Sequence, residues 1–149
     1  MTPIFLDTNI PMYAAGQSHD LKKPCQRVMT LVDKWPDNFL TDSEVLQEIL
    51  HRYYSVRRWH LGRQVMSQFV LAMGERIAPI FAEDVQFAGF LADQYPHLDA
   101  RDLVHAAVMQ RLGVTQIVST DGGFDHIEGI ERLDPMLVEE WTEIVASSG

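Results

Sequence analysis

Short apolar runs alternate along the chain with longer stretches whose apolar residues recur at helical spacing. The first run, Ile4-Phe5-Leu6, stops abruptly at Asp7-Thr8-Asn9. It reads as a short buried strand with polar chemistry at its carboxyl end. Residues 10–15 predict a short helix and 16–20 a loop. A helix follows over about 24–35, with Val28, Leu31, Val32 and Trp35 in phase and Pro24 near its start, where proline is tolerated. Phe39-Leu40-Thr41 predicts a second strand. From Asp42 or Ser43, as cap, Val45, Leu46, Ile49, Leu50 and Tyr53 share one helical face. That helix is expected to run on through His60, and Leu61, Val65, Phe69 and Met73 carry helix as far as Gly74. Residues 77–80 read as a strand whose Pro79 suggests an edge or an early end. A helix over 83–95, a loop over 96–98, and a helix from Asp99 to about Gly113 come next. A clear strand over 114–119, a short one over 130–133 and a final amphipathic helix over 136–146 complete the pattern.

Strands that alternate with helices predict an α/β fold, a parallel central sheet flanked by helices on both sides. The 149 residues suit a single domain spanning 1–149 with a sizeable core. Parallel strands put their carboxyl ends on one side, which is where ligands bind in such sheets.

Acids gather there. Asp7 ends the first strand, although Asp7, Thr8 and Asn9 are also good helix caps. The strand over 114–119 runs into Thr120-Asp121-Gly122-Gly123-Phe124-Asp125, again an apolar run that stops at an acid, with glycines that let the chain turn. Asp102 lies three residues after Asp99 at a helix start, so the two also fit a cap and its capping-box partner. Glu48 and Glu44 ride the helix after the second strand. At 100° per residue, Glu48 falls roughly 130° from the centre of the apolar face and Glu44 about 170° from it. Glu48 is therefore nearer a cleft beside the sheet, and Glu44 suits water or the helix N-terminus. His105, one turn after Asp102, is either a ligand or a packed histidine; the residue type before Ala-Ala favours packing.

Four carboxylates in one cleft repel, each pair at ~4 Å by about 4 kcal/mol at an effective dielectric near 20. Protonation or a cation must relieve this. Oxygen ligands select a hard ion such as Mg²⁺ or Mn²⁺. The sequence lacks Cys-x-x-Cys pairs and His-Glu-x-x-His, which argues against zinc. No Ser–His–Asp arrangement is evident.

The formal net charge of −9 argues against simple electrostatic binding of a polyanion, unless basic residues are concentrated or supplied by a partner. One basic, aromatic-interleaved stretch exists, His51 to His60, with Arg52, Arg57 and Arg58. It can hold phosphates and stack bases, dock a protein, or be a solvated face. No apolar run reaches the ~20 residues of a membrane span, so no membrane association is expected. No secretory signal is expected either, and the single Cys25 suits a reducing, cytoplasmic setting.

Leu6-Asp7-Thr8-Asn9, Glu48 within a helix, Arg101-Asp102-Leu103-Val104-His105-Ala106-Ala107 and Ser119-Thr120-Asp121-Gly122-Gly123-Phe124-Asp125 resemble, in order and spacing, the successive motifs of PIN-domain nucleases. The resemblance covers residues 4 to about 135, and the size is most like the toxin subunits of VapC-type toxin–antitoxin pairs. It implies Mg²⁺- or Mn²⁺-dependent hydrolysis of RNA, with Asp7, Glu48, Asp102 and Asp121 as the catalytic metal-binding acids. Asp125 matches a further acid that acts through water in some members. Asn9 matches a support of the first acid, and Thr120 a hydroxyl beside the fourth. Asp99 falls on no motif position and stays a cap. Gly122-Gly123 departs from the charged residues often found there. Partners implied are RNA, a cognate antitoxin and a second copy of the chain, through the aromatic-rich helices of 45–73; Arg52, Arg57 and Arg58 are candidate contacts to RNA or antitoxin. Other readings are a PIN-domain nuclease of RNA maturation without an antitoxin, a catalytically silent binding module, and a phosphatase with Asp7 as nucleophile.

Overall fold

Every side chain of Ile4, Phe5 and Leu6 is fully enclosed. Successive strand residues point to opposite faces, so this strand (β1, Ile4–Leu6) must be covered on both. The computed structural model, which describes residues 2–148, places β1 at the middle of a five-stranded sheet. Its neighbours are β2 (Phe39–Asp42), β3 (Ile77–Ala78), β4 (Gln116–Val118) and β5 (Glu131–Leu133), in the order β3-β2-β1-β4-β5. All pairings are parallel, with Phe5 beside Leu40 on one side and Ile117 on the other. Burial of each large apolar side chain of β1 contributes about 1.5–3 kcal/mol.

Seven helices flank the sheet: α1 (Asn9–Ala15), α2 (Lys22–Lys34), α3 (Ser43–Ser55), α4 (Trp59–Met73), α5 (Ala82–Gln94), α6 (Ala100–Leu112) and α7 (Val138–Ser148). One group is α1, α2, α4 and α7; the other is α3, α5 and α6, with α3 also against α4. The buried Asp84 carboxylate joins α5 to α6 through Arg111 Nε at 2.8 Å and Nη2 at 3.1 Å, and Arg111 holds that carboxyl below its usual range.

The chain builds outward from β1 through β2 to β3, then returns to the other side of β1 for β4 and β5. The reversal falls between β1 and β4. A crevice opens at the carboxyl ends of strands at such a point.

The expected continuous helix from residue 43 to Gly74 is two helices. Arg57, at φ 59°, takes the left-handed conformation that ends α3, and Arg58 precedes α4. Gly62 then lets the helices meet: a Cβ there would lie 2.5 Å from Tyr53 Cβ. The two-residue β3 is an edge strand, as Pro79 suggested. The short turn at Gly122-Gly123 needs no positive φ, in contrast to Gly74, Gly113 and Gly129. Gly123 is there for closeness, since a Cβ would sit 3.1 Å from Asp121 Oδ1 and 3.2 Å from a Leu98 methyl.

Candidate active site

Asp7 leaves β1 with its N–H still donating to Val118 O of β4 at 3.1 Å. Asp7 is 3% exposed, and both its oxygens accept hydrogen bonds. Oδ1 accepts the Thr8 N–H at 2.8 Å. Oδ2 accepts the Ser119 hydroxyl at 2.6 Å and Asn9 Nδ2 at 3.1 Å. Asn9 Oδ1 accepts the Thr120 N–H, and Ser119 Oγ accepts the Asp121 N–H at 2.9 Å. These bonds lock the ends of β1 and β4 together and hold Asp7 in one orientation. The hydroxyl on Asp7 is that of Ser119, and Thr120, next to Asp121, bonds Asn9 through its backbone N–H. Thr120 also lines the cleft.

Glu48 approaches from α3. Thr8 Oγ1 donates to its Oε1 at 3.3 Å, and Arg52 Nε lies 3.5 Å from its Oε2. Burial and the nearby Asp7 raise its carboxyl above the usual range, against the lowering effect of Arg52. Glu44 lies outside the cleft lining, paired with Arg101 Nε at 3.7 Å.

Asp102 sits in the first turn of α6, where Asp99 caps through the Arg101 N–H at 2.8 Å. Asp102 does not complete a capping box; its carboxyl hydrogen-bonds to Asp121 instead. Burial, that hydrogen bond, and the charges of Asp7 and Asp121 push it up to about 9. Asp121 is lowered, because it accepts the bond from Asp102 and a second from the Gly123 N–H at 2.8 Å. The two carboxyls are thus shifted in opposite directions, Asp102 up and Asp121 down.

His105, one turn further along α6, is wholly enclosed. Its Nδ1 lies 2.8 Å from Asp42 Oδ2. Nε2 has no hydrogen-bond partner among the described residues and faces Asp7 Oδ1 at 3.7 Å. Burial alone would lower its pKa, but Asp42, Asp7 and Asp102 raise it to about 9. Asp42 Oδ1 accepts the Val45 N–H at 3.2 Å and so caps α3. The sequence offered Asp42 or Ser43 as that cap and gave no sign of the bond to His105, which requires knowing that α3 and α6 meet.

Asp7, Glu48, Asp102 and Asp121 thus all line one cleft of about 630 Å³. Ligand atoms of Asp7, Asp102 and His105 come within 4.8 Å of one another. Crowded carboxylate oxygens repel one another until a cation offsets their charge, and oxygen donors suit a hard ion, so the donor set fits a divalent metal. Arg52 and Arg101 line the same cleft. Arg57 and Arg58 do not; the break between α3 and α4 carries them to other surfaces. Asp125 is also outside it, held by Arg132 Nε at 3.0 Å and Nη2 at 3.1 Å. Arg132 Nη1 donates in turn to Ser119 O at 3.1 Å, a link from Asp125 to the end of β4 that the sequence did not suggest.

The PIN domain family model matches residues 4–130. The chain is 38% identical over 130 residues to ribonuclease VapC13 of Mycobacterium tuberculosis, covering 87% of this chain and 98% of that protein. Two of the solved structures that share the fold are complexes. One is VapBC2 from Rickettsia felis bound to a DNA fragment from its promoter (TM-score 0.67, 18% identity, 89% of this chain and 98% of that one). The other is a toxin–antitoxin complex from Klebsiella pneumoniae (TM-score 0.61, 16% identity, 89% and 97%). With its sheet order, its acids at the β1–β4 crevice and this match over most of its length, the chain belongs to the PIN domain family.

Proposed function

We propose that the protein is a divalent-metal-dependent endoribonuclease and the toxin of a toxin–antitoxin pair. One observation carries the chemistry: four acids from two strand ends and two helices converge on a single cleft, crowded enough to raise the Asp102 carboxyl above its usual range. The ribonuclease relatives support RNA as substrate.

Asp7, Glu48, Asp102 and Asp121 are the residues that would hold Mg²⁺ or Mn²⁺, with Asp7 donated in a fixed orientation by Asn9 and Ser119. A cation bound there supplies Lewis acidity toward a phosphodiester and lowers the pKa of an attacking water. Asp102 would hold the cation as a carboxylate, without its proton. Thr8 steadies Glu48. Arg52 and Arg101, at the margin of the cleft, offer guanidinium donors to phosphate oxygens and offset the negative charge that an RNA strand would meet. Asp125 supports the end of β4 through Arg132.

The named toxin–antitoxin complex of this fold supports an antitoxin as partner. Exposed Leu50, Tyr54, Val70 and Leu71 on α3 and α4 offer apolar surface for that partner or for a second copy. A cytoplasmic setting fits an RNA substrate, and no helix among the described residues is long and apolar enough to cross a membrane.

The test is cleavage of total transfer and ribosomal RNA by purified protein with and without Mn²⁺ or Mg²⁺, beside folded Asp7→Asn and Asp102→Asn proteins. Cation-dependent cleavage that both variants lose supports the nuclease reading. Equal cleavage by all three overturns the site assignment. Growth arrest on expression, relieved by the product of an adjacent small gene, supports the toxin role; growth without arrest favours RNA maturation.

A further inference from the structure

Beside the four acids, Arg52 and Arg101, the cleft is walled by α1 and the loop after it. Asn9, Met12, Tyr13 and Gly16 all line it, at the three- and four-residue spacing of one helical face. At the acid end of that face, Asn9 bonds Asp7 and Ser119. Tyr13 stands four residues on, about 6 Å along the axis. That matches the reach from a phosphate to the base of the same nucleotide.

Tyr13 packs against the core, which makes it a fixed platform rather than a mobile ring. The ring of His19 approaches it at 4.9 Å between centroids, tilted by 40°. His19 is itself held, because its Nδ1 accepts the Leu21 N–H at 3.1 Å. That bond leaves Nε2 as the protonated nitrogen of the neutral ring. Gln17 and Ser18 line the same wall. Two aromatic rings, a thioether, an amide and a hydroxyl, with no acid among them, suit a flat aromatic ligand with hydrogen-bonding edges. They do not suit a phosphate, whose cationic donors are elsewhere in the cleft.

We propose that Tyr13 and His19 form a nucleobase subsite of the cleft. The base attached to the nucleotide whose phosphate lies at the acids packs against the Tyr13–His19 ring pair, and Gln17 and Ser18 meet its edge. Single-stranded RNA is recognised by stacking on aromatic side chains. The assignment rests on the nuclease reading above and adds to it that the target is unpaired at this position and is selected there by base identity.

The full-length protein in Mg²⁺ is titrated with the four nucleoside 5′-monophosphates, with ribose 5-phosphate and with inorganic phosphate, following the Tyr13 ring resonances. The expected result is that at least one nucleotide binds about tenfold or more tightly than ribose 5-phosphate. Tyr13→Ala loses that difference and retains ribose 5-phosphate binding, whereas Tyr13→Phe keeps it. His19→Ala, at an exposed position that cannot unfold the core, changes the ranking among the four bases. Ribose 5-phosphate binding with no gain from any base, or a gain that survives in Tyr13→Ala, overturns the subsite and leaves the nuclease reading standing. Failure of every phosphate to bind overturns both.

Discussion

His105 Nδ1 and Asp42 Oδ2 lie 2.8 Å apart with both side chains wholly enclosed. Because the other oxygen of Asp42 caps α3, a single carboxylate joins the helix that carries Glu48 to the helix that carries Asp102. Asp42→Ala removes the cap and leaves His105 buried without a partner. Breaking a buried pair from one side costs about 3–5 kcal/mol, and a lost cap about 1 kcal/mol more. Asp42→Asn has one oxygen where the carboxylate uses two, so it keeps the cap and presents its NH2 to Nδ1, which accepts in the Nε2–H tautomer, and it should lose less than alanine. Urea unfolding of the two variants checks this; equal losses would mean that the bond to His105 contributes little.

The metal-free protein should lose stability as pH rises from about 4 to 9. Folded Asp102 keeps its proton to about 9, whereas the unfolded chain releases it near 3.8, so the native state binds more protons in between and the slope is negative. His105 acts in the same direction over a narrower window. Its contribution is full below 6.5, its ordinary value, and is lost as pH passes about 9. Added Mn²⁺ or Mg²⁺ takes the place of the Asp102 proton and should reverse the trend, since a ligand of the native state stabilises it. Thermal melts in EDTA and in cation from pH 5 to 9 measure both slopes. A flat EDTA series would show that the acids are not crowded as described.

Asp102→Asn should stabilise the metal-free fold while it abolishes cation binding. The amide keeps a donor for Asp121 and removes the requirement to protonate a buried acid. A gain on the order of 1–3 kcal/mol at pH 7 follows from that linkage, or roughly 2–4 °C in Tm for each kcal/mol. Titration calorimetry with Mn²⁺ should show no binding. A variant less stable than the parent would mean that the Asp102 carboxyl is needed for the fold itself.

What was legible in the sequence was what depends on short-range pattern. The apolar runs ending at Asp7 and Asp121 mark the two strands that flank the crevice, and helical phase distinguished Glu48 from Glu44. What was not legible depends on the meeting of distant segments. Ser119 and Thr120 are adjacent hydroxyls, and only the register of β4 against β1 decides that Ser119 bonds Asp7. Asp125 looks like another site acid until β5 brings Arg132 beside it. Arg57 looks helical because its neighbours keep helical phase, while its own backbone turns left-handed.

Gly62→Ala should destabilise the α3–α4 corner. The added Cβ would fall 2.5 Å from Tyr53 Cβ and 2.8 Å from Trp59 Cε3. Alanine gains about 1 kcal/mol in helix propensity, but Tyr53 Cβ is tied to the backbone and cannot rotate away. Overpacking of this kind costs about 1–3 kcal/mol, so the clash outweighs the propensity. Denaturant midpoints for Gly62→Ala and for Gly62→Ala with Tyr53→Gly provide the check. A double variant no better than the sum of the singles would place the strain elsewhere.

Arg57→Gly should raise stability without changing RNA cleavage. A left-handed backbone costs an ordinary L-residue about 1–2 kcal/mol, and Arg57 at φ 59° occupies the position after a helix where glycine is usual. Glycine gives back roughly 0.5–1 kcal/mol through the unfolded chain, so the net gain is about 0.5–1 kcal/mol. Arg57 lies outside the acid cleft, in contrast to Arg52, whose guanidinium lines it beside Glu48. Arg52→Ala should therefore raise KM for RNA while Arg57→Gly leaves both KM and kcat alone. The two variants are compared on one RNA at several salt concentrations, since a lost phosphate contact also flattens the salt dependence of binding. A flattened salt dependence in Arg57→Gly would return the end of α3 to the RNA-binding surface.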